Sequence, residues 1–285
     1  MNHQNVILSP GLYFVATPIG TARDITLRAL DVLASADVLA AEDTRSLRKL
    51  MEIHGVPLGG RRIIAYHDHS GAGARAKLLE AVAEGKSVAY ASEAGMPLIA
   101  DPGYDLSRAA AEAGHAVTCA PGASAAVTAL TLAGLPTDAF FFAGFLPNAS
   151  GARRKRLEEL REIPGTLIFY ESPKRVAASV ADMAAVLGNR PAALARELTK
   201  KFEEVRRAPL TELAVGLEEK PVKGEIVLLV DRAQEAEVSE GDLESDLLAA
   251  LQGNSVKDAA GIVAEMHGLP RRKIYQLALQ LAKGG

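Results

Sequence analysis

The sequence predicts an α/β protein of two lobes, a parallel-sheet N-terminal lobe and a mixed-sheet C-terminal lobe, followed by a small helical tail. Three observations carry this expectation. From Leu12 to Val230, short β-rich runs alternate with Ala- and Leu-rich helical stretches, as strands joined by crossover helices do. Hydrophobic residues make up 48% of the 285 residues but aromatic ones only 5%, with no Trp. That balance favours aliphatic α/β packing over an aromatic-rich β-sandwich. After Val230 the composition turns to DRAQEAEVSEGDLESD, an acidic stretch too poor in large apolar residues to extend a core. Domains typically run about 100–150 residues, so the length suits two of them and an appendage.

In order, the first lobe reads strand Leu12–Ala16, helix Ile25–Ala36, strand Asp37–Ala41, helix Thr44–His54, strand Arg62–Ala65 and helix Gly73–Glu84. Strand Ser87–Ala91, helix Tyr104–Ala113 and strand Ala116–Cys119 complete it. The second lobe reads helix Ala123–Ala133, strand Phe140–Gly144, helix Arg153–Ile163, strand Thr166–Tyr170 and helix Lys174–Leu187. Strands Ala192–Arg196 and Phe202–Arg206, helix Leu210–Glu218 and strand Glu225–Val230 follow. Strands lie closer together there and include adjacent pairs, which predicts a mixed sheet. The predicted boundaries are 1–120 and 121–232 for the lobes, 233–254 for an acidic linker and 255–285 for the tail. Tail helices Val256–His267 and Arg271–Ala282 are separated by Gly268 and Pro270, a C-cap glycine and an N-terminal proline that outline a helix–turn–helix.

Composition also excludes. Cys119 is the only cysteine, so neither an intrachain disulfide nor a Cys-built zinc site exists. The start MNHQNVILSPG shows no basic region followed by an apolar stretch, so no signal peptide and a cytoplasmic location are expected. Pro121 and Gly122 interrupt the uncharged run Ala116–Thr137, which reads as a buried strand, turn and helix and not as a membrane span. With 32 Lys+Arg against 35 Asp+Glu the net charge is −3, a total that argues weakly against a nucleic-acid partner. The runs Arg153–Arg156 and Arg271–Lys273 read, on charge alone, as solvated helix faces.

Ligands of open α/β sheets sit beyond the carboxyl ends of the strands. Three loops at such ends carry Gly and Pro: Ala16–Thr21 with Pro18 and Gly20, Ser92–Gly103, and Ala120–Ala125 leading into a helix start. Together they suit a nucleotide-sized ligand. Gly85-Lys86-Ser87 lacks the first glycine of a phosphate loop and runs from helix to strand, while the first βα turn lacks Gly-x-Gly-x-x-Gly. ATP-type, NAD and FAD sites are thereby disfavoured. Two strand-end clusters, Glu42-Asp43-Thr44-Arg45 and Tyr170-Glu171-Ser172-Pro173-Lys174-Arg175, hold acid and base candidates; capping and solvation are the alternative for each residue taken singly. His67-Asp68-His69 has no obvious third ligand nearby and reads as a polar loop that touches substrate, with no metal expected.

Longer motifs resemble one family: TPIG at Thr17–Gly20, DITLRAL at Asp24–Leu30, AEDTR at Ala41–Arg45, SEAGMPLIADPG at Ser92–Gly103, PGASA at Pro121–Ala125, GLPTD at Gly134–Asp138, GFLP at Gly144–Pro147 and YESPKR at Tyr170–Arg175. In this order they are similar to the small-subunit ribosomal RNA methyltransferase I family of the tetrapyrrole methylase superfamily, from about Leu12 to Val230 and again in the tail. Met96 stands where that family's pattern has threonine.

The resemblance implies a two-lobed tetrapyrrole methylase-like fold, S-adenosyl-L-methionine as methyl donor, and as acceptor the 2′-hydroxyl of a decoding-region cytidine in small-subunit rRNA, free or in the assembled 30S subunit. It also implies a homodimer. By motif, it assigns the donor site to Pro18, Gly20, Ala94, Gly95, Met96, Pro97, Pro121, Gly122, Ala123, Ser124, Leu146, Ser172, Gly224, Glu225 and Ile226. A weakly acidic hydroxyl benefits from a base and a nearby cation, so Asp43 or Glu171 is expected to take the proton with Lys174 beside them. Arg45, His67, Arg153, Arg154 and Arg175 are the expected RNA contacts. Methylation of a tetrapyrrole-like small molecule, or nucleic-acid binding without catalysis, are the alternatives, since fold alone does not fix substrate.

Overall fold

The computed structural model describes residues 2–67, 71–233, 240–267 and 269–284. The first sheet has five strands in the order β3-β2-β4-β1-β5, comprising β1 (Gly11–Val15), β2 (Val38–Ala41), β3 (Ile63–Ala65), β4 (Ser87–Ala91) and β5 (Val117–Ala120). Every pairing is parallel, so all strand C-termini lie along one edge, where the chemistry-bearing loops leave the sheet. Helices α1 (Leu27–Ser35), α2 (Thr44–Ile53), α3 (Gly71–Ala83) and α4 (Tyr104–Glu112) make the crossovers. The central strand β4 is buried at every position, as a strand covered on both faces must be. One core packs α1 and α2 around Leu30, Leu33, Leu39 and Met51. The other packs α3 and α4 around Leu78, Tyr90 and Leu106.

Local chemistry sets the helix starts. The Thr26 hydroxyl accepts the Ala29 N–H at 3.1 Å, which starts α1 two residues later than Ile25 and leaves a short 3₁₀ turn, Ala22–Asp24, before it. The Asp43 carboxylate accepts the N–H groups of Arg45 at 2.7 Å and Ser46 at 3.3 Å and so caps α2.

The second sheet, in the order β6-β7-β10-β8-β9, holds β6 (Phe140–Phe145), β7 (Thr166–Glu171), β8 (Pro191–Arg196), β9 (Glu204–Pro209) and β10 (Ile226–Val230). β6 pairs with β7 in parallel and the other neighbours are antiparallel, the mixed sheet the close strand spacing predicts. Its last hairpin strand begins at Glu204 and not at Phe202, because Glu197–Glu203 form a tight turn. Helix α5 (Ala125–Ala133) follows β5 directly and packs Ala126, Ala129, Leu130 and Ala133 on one face of this second sheet. Ile19 of the first lobe enters the same cluster. Helices α6 (Ser150–Leu160), α7 (Val176–Leu187) and α8 (Leu210–Glu219) cover the other face around Leu157, Phe169 and Met183.

Both sheets fall in one compact unit, Met1–Ala233, and Gln234–Gly285 form another. The second unit corrects the expectation of a linker to residue 254. Helix α9 (Glu240–Leu251) lies inside that acidic stretch and joins α10 (Val256–His267) and α11 (Arg271–Gly284). Leu243 and Leu247, one helical turn apart, are buried with Val263, Ile274 and Ala278 in a three-helix core. Among the described residues no helix is long and apolar enough to cross a membrane.

Candidate active site

The loops after β1 and β4 are stitched together. Thr17 and Gly95 exchange both backbone hydrogen bonds, each 3.0 Å, and the Ser92 hydroxyl donates to the Gly95 carbonyl at 2.5 Å. Gly95 has φ 83°, a conformation that favours glycine. The loop then runs through Leu98 at φ 70° and Ala100 at φ 60°. Left-handed conformations in residues bearing a Cβ cost about 1–3 kcal/mol each and concentrate at functional sites.

The second lobe meets this loop through its own strand ends. The turn after β8 puts Glu197 at φ 50° and Thr199 at φ 61°, and the Thr199 hydroxyl accepts the Thr21 N–H at 3.1 Å. Glu197 accepts the Glu225 N–H at 3.0 Å, and Lys200 bridges the carboxylates of Glu197 at 3.2 Å and Glu225 at 2.9 Å.

Between the lobes lies a cavity of about 270 Å³, near the small end of ligand-sized pockets. Ile19 and the loop residues Ala94–Met96 and Ile99–Asp101 form the first-lobe wall. Ser124 and Ala125, at the start of α5, form its floor. Opposite stand Phe145, Tyr170, Glu171, Leu198 and Glu225–Val227. Phe145 and Tyr170 meet edge-on with ring centroids 5.7 Å apart.

Six of the expected donor-site residues line the cavity: Ala94, Gly95, Met96, Ser124, Glu225 and Ile226. The remaining nine are outside the lining. Pro97 is buried and Pro18 half-buried, Gly122 lies against Ala16 where a Cβ would come within 2.9 Å, and Gly20 sits beneath Thr199 and Leu198. Pro121 is exposed and Ala123 half-buried just ahead of α5. Leu146 belongs to the core under α6 and α7. Ser172 gives its N–H to Glu171 at 2.8 Å, and a Cβ on Gly224, at φ 91°, would overlap the Glu197 carboxyl.

The expected catalytic residues separate. Glu171 lines the cavity, but its carboxylate accepts Ser172 N–H and, at 2.6 Å, the Ser179 hydroxyl, and it pairs with Arg175 at 3.3 Å. Asp43 is outside the lining; its carboxylate caps α2 and pairs with Arg45 at 3.2 Å. Those hydrogen bonds, led by the Arg45 side chain, hold its carboxyl below the usual range. Lys174 is exposed in the turn before α7.

Two expected RNA contacts are corrected. The Arg153 side chain is 5% exposed and pairs with buried Asp182 at 2.6 Å, so it serves the packing of α6 on α7. Arg175 turns inward, donating to the Leu146 carbonyl at 2.5 Å, and fixes the β6–α6 turn. Arg154, 53% exposed, pairs with Asp182 at 2.6 Å, and Arg45 is 92% exposed. His67 is exposed just after β3, while Asp68 and His69 lie outside the described residues. Among the described residues no group of His, Cys, Asp or Glu is arranged to hold a metal ion.

Sequence reasoning missed Asp101, Tyr170, Phe145 and Leu198. Asp101 lies near the end of the SEAGMPLIADPG motif, yet only Ala94–Pro97 of that motif are assigned to the ligand by the resemblance. Burial, then the charges of Glu42 and Glu93, push its carboxyl up to about 7. Burial raises the Tyr170 phenol too, with a smaller push from Asp101 and an opposing hydrogen bond from the Ala126 N–H. The cavity therefore offers an apolar slot, acidic groups on its walls, and a helix start whose N-cap, Ser124, makes no side-chain cap bond. Such a site accepts a ligand with a flat apolar part, a cationic centre and a carboxylate.

The model of the family described as Tetrapyrrole (Corrin/Porphyrin) Methylases matches residues 11–214, and that described as RsmI C-terminal HTH domain matches 237–282. The chain is 47% identical over 277 residues to the Ribosomal RNA small subunit methyltransferase I of Mesorhizobium japonicum, covering 96% of this chain and 93% of that protein. It is 45% identical over 285 residues to the protein of the same name from Escherichia coli O157:H7, covering 98% of each. The crystal structure of a conserved hypothetical protein from Aeropyrum pernix K1 shares the fold, with a TM-score of 0.61, 17% identity and 98% of each chain covered. By both its family models and its curated relatives, the chain belongs to the tetrapyrrole methylase family, in the branch that carries the small-subunit ribosomal RNA methyltransferases I.

Proposed function

We propose that this methyltransferase moves a methyl group from S-adenosylmethionine to the ribose 2′-hydroxyl of a decoding-region cytidine in small-subunit ribosomal RNA. The observation that carries the reading is the interlobe cavity, walled by the loops of a chain whose relatives bear that enzyme's name over nearly their whole length. The residues present fit the donor. Ile19, Met96, Leu198 and Val227 supply apolar surface for an adenine, the small residues at the start of α5 leave N–H groups for a carboxylate, and the Glu171 and Glu225 carboxylates suit a sulfonium and an ammonium. The donor supplies an activated methyl group; the protein's main task is alignment, because positive charge on sulfur disappears during transfer.

RNA approaches from the side of exposed Arg45, Lys174 and His67. Incubating the protein with labelled donor should transfer label to small ribosomal subunits or their RNA. Label entering a tetrapyrrole and not RNA would favour the small-molecule alternative, and absence of donor binding would favour a non-catalytic binder. The enzyme is further proposed to work as a homodimer, a reading supported by Phe140 and Phe141, 49% and 37% exposed on edge strand β6. Light scattering should return twice the 30.0 kDa chain mass; a single-chain mass at working concentration contradicts it.

A further inference from the structure

Three carboxylates line the cavity, and they differ in what they already hold. Glu171 accepts two hydrogen bonds and pairs with Arg175. Glu225 pairs with Lys200 at 2.9 Å. Asp101 has no hydrogen-bond or ion-pair partner among the described residues. It sits at the carboxyl-end loop of β4, directly after Ala100 at φ 60°, so a locally costly backbone delivers it to the cavity wall. An unpartnered carboxylate held there by strained backbone is poorly explained by stability, since a partly buried charge without a partner costs free energy.

We propose that Asp101 is the proton acceptor of the methyl transfer, replacing Asp43 and Glu171 in that role; this rests on the rRNA reading above. As an electron pair of the 2′-oxygen forms the new C–O bond, the hydroxyl proton passes to the Asp101 carboxylate. The C–S bond breaks with its pair retained by sulfur, the sulfonium becomes a neutral thioether, and Asp101 later returns its proton to water. A base serves best when its pKa lies near the working pH, and burial together with Glu42 and Glu93 brings the Asp101 carboxyl to about 7. The groups around it are Glu42 from the loop after β2, Glu93 from its own loop, Tyr170 from β7 and the committed Glu171 and Glu225. Arg45 lies beyond Glu93 and feels its charge.

The test compares wild type, Asp101→Asn and Asp101→Glu by single-turnover methylation of small subunits, donor titration and thermal melting, each across pH. Asp101→Asn should lower the single-turnover rate by about 10²–10⁴-fold while leaving donor affinity unchanged. The wild-type rate should fall about tenfold per pH unit below about 7. Asp101→Glu should keep that acid limb at a lower rate, and Asp101→Asn should lose it.

Because folding raises this carboxyl above its ordinary value of 3.8, ionisation costs the folded state stability as pH rises from about 4 to 7. Asp101→Asn should thus melt above wild type at pH 8, with the gap closing toward pH 4. A wild-type rate in Asp101→Asn, a loss that follows donor affinity, a flat wild-type profile or a pH-independent melting difference each overturns the assignment. A wild type that binds donor and methylates no RNA overturns the rRNA reading beneath it; an active wild type with an equally active Asp101→Asn overturns Asp101 alone.

Discussion

Asp182→Ala is expected to destabilise the protein by about 3–5 kcal/mol, the loss typical of breaking a buried ion pair from one side. Asp182 on α7 accepts Arg153 Nε at 2.8 Å, Arg154 Nε at 2.6 Å and the Ser150 hydroxyl at 2.9 Å. The side chains of Arg153 and Asp182 are only 5% and 6% exposed, so the substitution strands a guanidinium that keeps, among the described residues, the Pro147 and Asn148 carbonyls as partners. Burial alone would raise the Asp182 carboxyl, but hydrogen bonds from Arg154, Ser150 and Arg153 outweigh it and hold the group below its ordinary 3.8. A lowered carboxyl contributes stability that is present above its unfolded value and lost as pH falls through the folded one. The difference between wild type and Asp182→Ala should therefore be full at neutral pH and shrink below about pH 4. Urea denaturation at several pH values reads this directly, and a neutral-pH loss under about 1 kcal/mol, as for an exposed pair, contradicts it. Replacing Arg153 and Asp182 together by apolar residues of similar volume should restore much of the loss.

Gly95→Val should weaken donor binding by more than about tenfold. At φ 83° a β-branched residue is strained, and its Cβ would lie 3.2 Å from Ile19 Cγ2 and 3.3 Å from the Ala123 carbonyl oxygen. Relief requires opening the Thr17–Gly95 bridge, and that moves both first-lobe walls of the cavity at once. An affinity loss of more than about tenfold, equivalent to 1.4 kcal/mol, is expected by calorimetric titration, with a stability cost of about 1–3 kcal/mol. Wild-type affinity in Gly95→Val would remove this cavity as the donor site.

What the sequence revealed, and what it hid, follows from how locally each feature is encoded. The β4 run SVAYA and the small-residue start of α5 show their roles in composition alone. The mixed second sheet was legible from the closeness of its strands. Helix α9 was not, because Leu243 and Leu247 are the sparse apolar stripe of an otherwise acidic segment, and charge masks a period of one turn. Arg153 was misread for the opposite reason: in a run of four cations nothing local says which one points inward, and Asp182 lies 29 residues away. Glu171 ends β7 and Asp101 lies deep in the long loop after β4, and nothing local says what either carboxylate holds. Only the packing shows that Ser172, Ser179 and Arg175 occupy the first while the second lines the cavity with no partner among the described residues.

The central claim is that the cavity between the two sheets carries methyl transfer to a ribose oxygen of small-subunit rRNA. Its most direct test is to add the protein and labelled S-adenosylmethionine to small subunits from cells lacking it, and then map the modified nucleotide. A single 2′-O-methylcytidine in the decoding region, diminished with Gly95→Val, is the expected result. Label on a base, on another RNA, or undiminished in Gly95→Val would contradict it.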